Sequence, residues 1–154
     1  MKDVWNLDVI YHGFEDPAFR ADMDLLQDVV KGFNTFADRL ETLDPLEGLR
    51  EGIAREEKLM ELGMKLASYA QLRQSVNTRD FECGSRLSQI MQLFSEAAGA
   101  EAAWKQWAAG IPDLMEQIAR DERLKEYTFL FENLREDSVH LLGTLGEQIS
   151  ARLT

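Results

Sequence analysis

The strongest constraint on this chain is a run of apolar residues at three- and four-residue steps, begun afresh after each of two Asp-Pro pairs. Asp16-Pro17 and Asp44-Pro45 both read as helix starts. An Asp side chain can accept from orphan amides, and Pro at the first helical position gives up no hydrogen bond. After the first pair, Phe19, Met23, Leu26, Val30, Phe33, Ala37 and Leu40 fall on one stripe of an amphipathic helix. After the second come Leu46, Leu49, Ile53, Leu59, Leu62, Leu66, Tyr69 and Leu72, ending near Val76. The stripe thins at Glu56, where the spacing predicts a break or kink.

Asn77-Thr78 opens a third helix with Phe81, Leu87, Ile90, Met91, Phe94 and Ala98, followed by Trp104 and Trp107. A helix near 30 residues long spans about 45 Å, more than a compact ball accommodates. Gly110-Ile111-Pro112 closes it and starts a short stripe of Leu114, Met115, Ile118 and Ala119. Asp121-Glu122-Arg123 interrupts that stripe before Leu124, Tyr127, Phe129, Leu130 and Leu134. This last stretch is either one helix or a helix with an irregular joint, and Tyr127-Thr128-Phe129 also suits a strand. Thr144-Leu145-Gly146-Glu147 has capping-box spacing for a final helix through Ile149 and Leu153. Neither Gly nor Pro closes that helix before the sequence stops, which points weakly to a longer polypeptide. Residues 1–15 lack helical period and read as an extended lead-in whose large side chains dock on the body. The expectation is one all-α domain over residues 1–154, an elongated antiparallel helical bundle of five or six helices.

Lys and Arg number 17 against 28 Asp and Glu, for a net charge of -11. That sign opposes nucleic acid and anionic membrane surfaces, so neither is an expected partner. A single cysteine, Cys83, permits no internal disulfide and reads as a structural thiol. The opening Met1-Lys2-Asp3-Val4-Trp5-Asn6 has no signal-like apolar run, and no apolar stretch is long enough to span a bilayer. A cytoplasmic location is expected.

Motifs that carry chemistry are missing. There is no glycine-lysine phosphate loop and no Gly-x-Ser-x-Gly elbow. A His-Glu-x-x-His zinc helix needs two histidines four apart, and the chain has only His12 and His140. Asp137-x-x-His140 is half of a di-iron pattern without its second half. The adjacent acids Glu56-Glu57, Asp22 with Asp24, and Glu122 with Glu126 read as solvated faces rather than acid–base pairs, which need a shared cleft. Trp104 and Trp107 share a helix face and read as packing more than as a peptide-binding wall. Tyr69, Tyr127 and His140 read as core-edge residues that satisfy a hydrogen bond. Gly48-x-x-x-Gly52 has the spacing of a membrane dimer motif, but Glu47, Arg50 and Glu51 around it exclude that use.

Taken in order, several pieces resemble the amino-terminal lobe of the oligoendopeptidase F family of thimet-type zinc metallopeptidases. They are Trp5-Asn6-Leu7 with Ile10-Tyr11, Asp16-Pro17-x-Phe19, and Tyr69-Ala70-x-Leu72-x-x-Ser75-x-Asn77-Thr78. Leu124-x-x-Tyr127-x-Phe129 and His140-x-Leu142 with Glu147 complete the set. Asn77 and Gly143 depart from the family pattern at helix caps. The resemblance implies a helical half of a two-lobed shell around a central cavity. It also implies short peptide substrates and a C-terminal catalytic lobe as partner, with zinc held in that lobe. None of the family's zinc ligands or catalytic residues maps onto this sequence, so no catalytic, cofactor-binding or metal residue is expected in it. A severed lobe should expose an apolar patch and self-associate. The alternative expectation is a free-standing helical interaction module without enzymatic activity.

Overall fold

The structure is a computed structural model and describes residues 10–76 and 81–137. The expected helix starts at Asn77-Thr78 and Thr144–Glu147, and His140, lie outside the described residues. Among the described residues the chain is all helical. The elements are α1 (Pro17–Asp38), a 3-10 turn (Leu40–Thr42), α2 (Pro45–Val76), α3 (Phe81–Ala109), α4 (Leu114–Ala119) and α5 (Glu122–Lys125). A further helix, α6, runs over residues 128–137. No strand forms at Tyr127-Thr128-Phe129. The Thr128 hydroxyl donates to the Lys125 carbonyl at 2.7 Å, so this stretch is the expected helix with a joint.

Both Asp-Pro pairs start helices where the sequence places them. The Asp16 carboxylate accepts from the Ala18 amide at 2.9 Å and from the His12 amide at 2.8 Å, fixing α1 and the lead-in together. Helix α1 buries Phe19, Met23, Leu26, Val30 and Phe33 as its stripe requires, and also Phe36. It stops at Asp38, two residues before the stripe does, and Leu40 is buried from the 3-10 turn instead.

The lead-in docks through aromatic rings. Tyr11 and Phe14 are buried against Phe19 of α1 and Tyr69 of α2. Ring centroids lie 5.0 Å apart for Tyr11–Tyr69 and 5.1 Å for Phe14–Phe19, both edge-to-face. The Arg73 guanidinium sits 4.5 Å above the Phe14 ring, and the Lys65 ammonium 5.0 Å from the Tyr11 ring. Between the two aromatics Gly13 turns the chain at φ 146, a value that side chains other than glycine rarely adopt.

Helix α2 is a single helix of 32 residues, so the break expected at Glu56 does not occur. The seam with α3 explains why. A Cβ added to Gly52 would stand 1.9 Å from Trp104 Nε1, one on Gly48 2.3 Å from the Trp107 ring, and one on Gly63 2.2 Å from the Phe94 ring. Aromatic rings of α3 therefore fill the stripe where α2 carries no large side chain. As α2 ascends from Gly48 to Gly63 the facing residue on α3 descends from Trp107 to Phe94, so the two helices are antiparallel. The Trp104 indole N–H donates to the Gly48 carbonyl at 3.1 Å, satisfying a fully buried polar group.

On α3 the buried face differs from the one expected. Cys83, Ile90, Leu93, Ala97, Ala100, Trp104 and Ala108 are buried. Phe81 is 88% exposed, and Met91 and Ala98 are also exposed. Cys83, Ile90, Ala97 and Trp104 recur every seven residues, the seam spacing of packed antiparallel helices. Small alanines hold this seam because α3 is squeezed between α1 and α2. Size-weighted reading of the sequence chose the larger, outward residues. In the last third, Leu114, Ile118, Leu124 and Phe131 are buried, and Phe129, assigned to the stripe, is 74% exposed.

The glycines give a direct test. Gly52→Ala should destabilise the fold by about 1–3 kcal/mol or more, because an indole must move in a packed core. Gly84 and Gly99 of α3 face open space. Replacing either with Ala should stabilise by about 0.5–1 kcal/mol. Urea unfolding of the three variants checks both signs.

Candidate functional site

The described surface carries a groove with a mixed polar and apolar lining. It lies between α1 and α3, has a volume of about 430 Å³, and is floored by Phe19, Met23 and Leu93. Its walls are polar: Arg20, Asp24, Gln27, Arg86, Gln89 and Gln92. These positions recur at three- and four-residue steps on two facing helices, so the groove follows directly from the helical period. Arg86 donates to Gln89 Oε1 at 3.3 Å and to Glu82 at 3.1 Å. Its Nε is buried without a partner. Arg20 pairs with Glu15. This arrangement can hold a polar chain over an apolar floor, but it brings no nucleophile and base together.

The carboxylates singled out in the sequence separate rather than converge. Asp24 lines the groove, whereas Asp22 accepts from the Tyr11 hydroxyl and from Lys65 Nζ, the latter at 3.2 Å. Burial, then the hydrogen bond to Asp22, raises Tyr11 well above the ordinary tyrosine range. Glu122 and Glu126 are both exposed.

Glu56 and Glu57 have opposite environments. Glu57 accepts from the Tyr127 hydroxyl and from Arg123, and the tyrosine bond above all holds it below the usual carboxylate value. Glu56 turns into the α2–α3 seam. Burial, then the nearby charge of Glu101, raises it, while Lys105 acts the other way. Burial also raises Glu101. Glu56 Oε2 is enclosed without a hydrogen-bond partner. Because the two acids point to different sides of α2, they form no acid–base pair in one cleft. The half-buried Glu56 was not legible in the sequence; the thinning of the α2 stripe was its only signal.

The remaining residues take structural places. Trp104 is fully buried with its ring 6.1 Å from Phe131, and Trp107 is half-buried against Gly48. Both are packing residues. Tyr69 accepts from Arg73 Nη1 at 3.1 Å at the core edge, and Tyr127 likewise bonds to Glu57. Cys83 is fully buried. His12 is exposed. Among the described residues no three His, Cys, Asp or Glu side chains stand close enough together to hold a metal ion. No described helix is long and apolar enough to cross a membrane.

With this geometry in place, the comparisons with known proteins are informative. No protein-family model matches the chain, and no solved structure does. Oligopeptidase PepF of Bacillus subtilis (strain 168) is 23% identical over 152 residues. That alignment takes in 97% of this chain and 22% of the Bacillus protein. The chain thus spans about a fifth of the length of the curated relative it matches.

The acidic seam predicts a pH effect with a definite sign. Glu56 and Glu101 bind protons more tightly when folded than when unfolded, where a Glu titrates near 4.3. Their ionisation therefore weakens the fold as pH rises through the raised folded values, and the penalty is absent below the unfolded value. Glu56→Gln should stabilise the protein at neutral pH, with the gain disappearing near pH 4. Denaturant melts across that range check it; a constant gain at every pH contradicts it.

Proposed function

We propose that this chain is the N-terminal, non-catalytic lobe of a larger zinc-dependent oligoendopeptidase that cleaves short peptides in the cytoplasm. The observation that carries the reading is the likeness of nearly the whole chain to about a fifth of an oligopeptidase. The helical hairpin is consistent with it. Helices of 32 and 29 residues, α2 and α3, form a stiff wall about 45 Å long. A wall of that kind restricts a cavity to short, unfolded peptides by shape alone. On this reading zinc is held in the C-terminal lobe, the partner of this segment. When bound there, zinc would acidify a water and polarise the scissile carbonyl. This lobe's task would be to enclose the peptide and limit the access of bulk water. The α1–α3 groove, with the Gln27 and Gln92 amides lining it beside Phe19 and Met23, suits the edge of an extended peptide.

Two measurements decide the matter. The coding sequence should continue past Thr154 into a His-Glu-x-x-His motif, and the full polypeptide should cleave a short quenched-fluorescence peptide in a chelator-sensitive way. Residues 1–154 alone should show no turnover. A natural stop after Thr154 would favour a free-standing interaction module, and zinc-dependent turnover by this chain alone would overturn the assignment.

A further inference from the structure

One side of the α2–α3 hairpin is covered at one end and bare at the other. Helix α1 occupies the opposite side, where Asn34 Nδ2 donates to the Glu96 carbonyl at 3.2 Å and Lys65 pairs with Asp22. On the side away from α1, the lower row of α2 is engaged by the α5–α6 segment. Arg50 pairs with Asp121, and Glu57 with Arg123 and Tyr127. Met60 and Met64 continue that row three and seven positions past Glu57, so they lie along the same helix line. They are 43% and 53% exposed. Across the seam Phe94 lies over Gly63. Its neighbour Met91 is 55% exposed. Among the described residues the covering layer reaches no further than Tyr127, and an apolar strip runs on beyond it.

The outward surface of α3 next to that strip is almost without side chains. Gly84, Ser88, Ser95, Gly99 and Ala102 recur at three- and four-residue steps around Met91. Nothing lies within 4 Å of a Cβ at Gly84 or Gly99. Interior glycines cost a helix about 1 kcal/mol each relative to Ala. At Gly48, Gly52 and Gly63 aromatic rings occupy the space; at Gly84 and Gly99 none of the described residues does. Small residues flanked by methionines let a second helix approach closely and repack around flexible thioethers. Glu56 lies near Glu101 and Lys105, Arg123 pairs with Glu57 at the lower end of the row, and the chain as a whole has a net charge of -11. A second copy of so acidic a chain is repelled, whereas a basic flank is attracted.

We propose that the bare end of this face is a docking groove for an amphipathic helix with Lys or Arg along its flanks, supplied by the remainder of the larger polypeptide. The source of that helix rests on the lobe reading above; the groove and its chemistry rest on the exposed methionines and open glycines. The docked helix extends the α5–α6 layer upward, with its apolar side chains on Met60, Met64 and Met91 and its axis close to Gly99.

The test uses the 154-residue chain with its methionine methyl groups 13C-labelled. The probe is a synthetic amphipathic helix of leucine and lysine, and the control is the same peptide with glutamate for lysine. The lysine helix should bind, shift the Met60, Met64 and Met91 methyl signals and leave that of the buried Met23 in place. The glutamate helix should bind at least about tenfold more weakly. The charge-neutral variant Met60→Gln/Met64→Gln/Met91→Gln should weaken binding at least about tenfold, the loss typical of removing central anchors. Gly99→Leu projects into open space, so it should hold or raise the melting temperature and still weaken binding. Undiminished binding to both variants would mean charge attraction alone and would overturn the proposal. So would self-association of the free chain that protects the three methyls, or methyls shielded from a soluble relaxation agent in the free monomer. A failed groove with an intact downstream zinc motif would leave the lobe reading standing; the reverse would leave a docking module for a separate partner.

Discussion

The structure depends on the approach of α2 to α3, which only glycine permits. Trp104 and Trp107 lie where side chains at Gly52 and Gly48 would stand, and the indole N–H of Trp104 bonds to the Gly48 carbonyl. A Cβ on either glycine would force an indole out of a packed interior, where strain is not absorbed cheaply. That contact sets the antiparallel register. The register in turn places Phe94 on Gly63, turns Glu56 into the seam, and leaves one side for α1 and the other for the α5–α6 segment. The aromatic nest of Tyr11, Phe14, Phe19 and Tyr69 secures the other end of the bundle and holds the lead-in there.

Much of the fold was legible in the sequence because caps and periods are local. Asp16-Pro17 and Asp44-Pro45 start helices at the residues expected, and α2 ends at Val76 as its stripe does. What failed were inferences that needed the partner surface. Glu56 read as a break, since a sequence cannot show that an indole from a residue 48 positions later fills the gap at Gly52. On α3 the large residues Phe81 and Met91 read as core, while the seam is made of alanines that give no strong signal by themselves. Phe36 is buried inside α1, next to the stripe at Phe33, and Phe131 is buried in α6 against Trp104, where the sequence reading had chosen Phe129. Gly48-x-x-x-Gly52 was set aside with its membrane use, and its part in the close approach of α3 was not read from the sequence.

Of a functional site, the sequence showed mainly what was missing, and the described residues add surfaces rather than chemistry. The two tryptophans are packing, and the paired acids point apart. What remains is a polar groove on one side of the hairpin and a methionine strip on the other. The chain itself is similar, over most of its length, to about a fifth of an oligopeptidase.

The measurement closest to the central claim is hydrogen exchange at the Trp104 indole N–H, followed by NMR in deuterated buffer. The seam described here predicts exchange only through opening of the whole hairpin, at the rate of the slowest α2 and α3 backbone amides. Exchange as fast as that of a free indole, with those backbone amides still protected, would mean that Trp104 does not occupy the Gly48–Gly52 notch, and the account of the fold would fail.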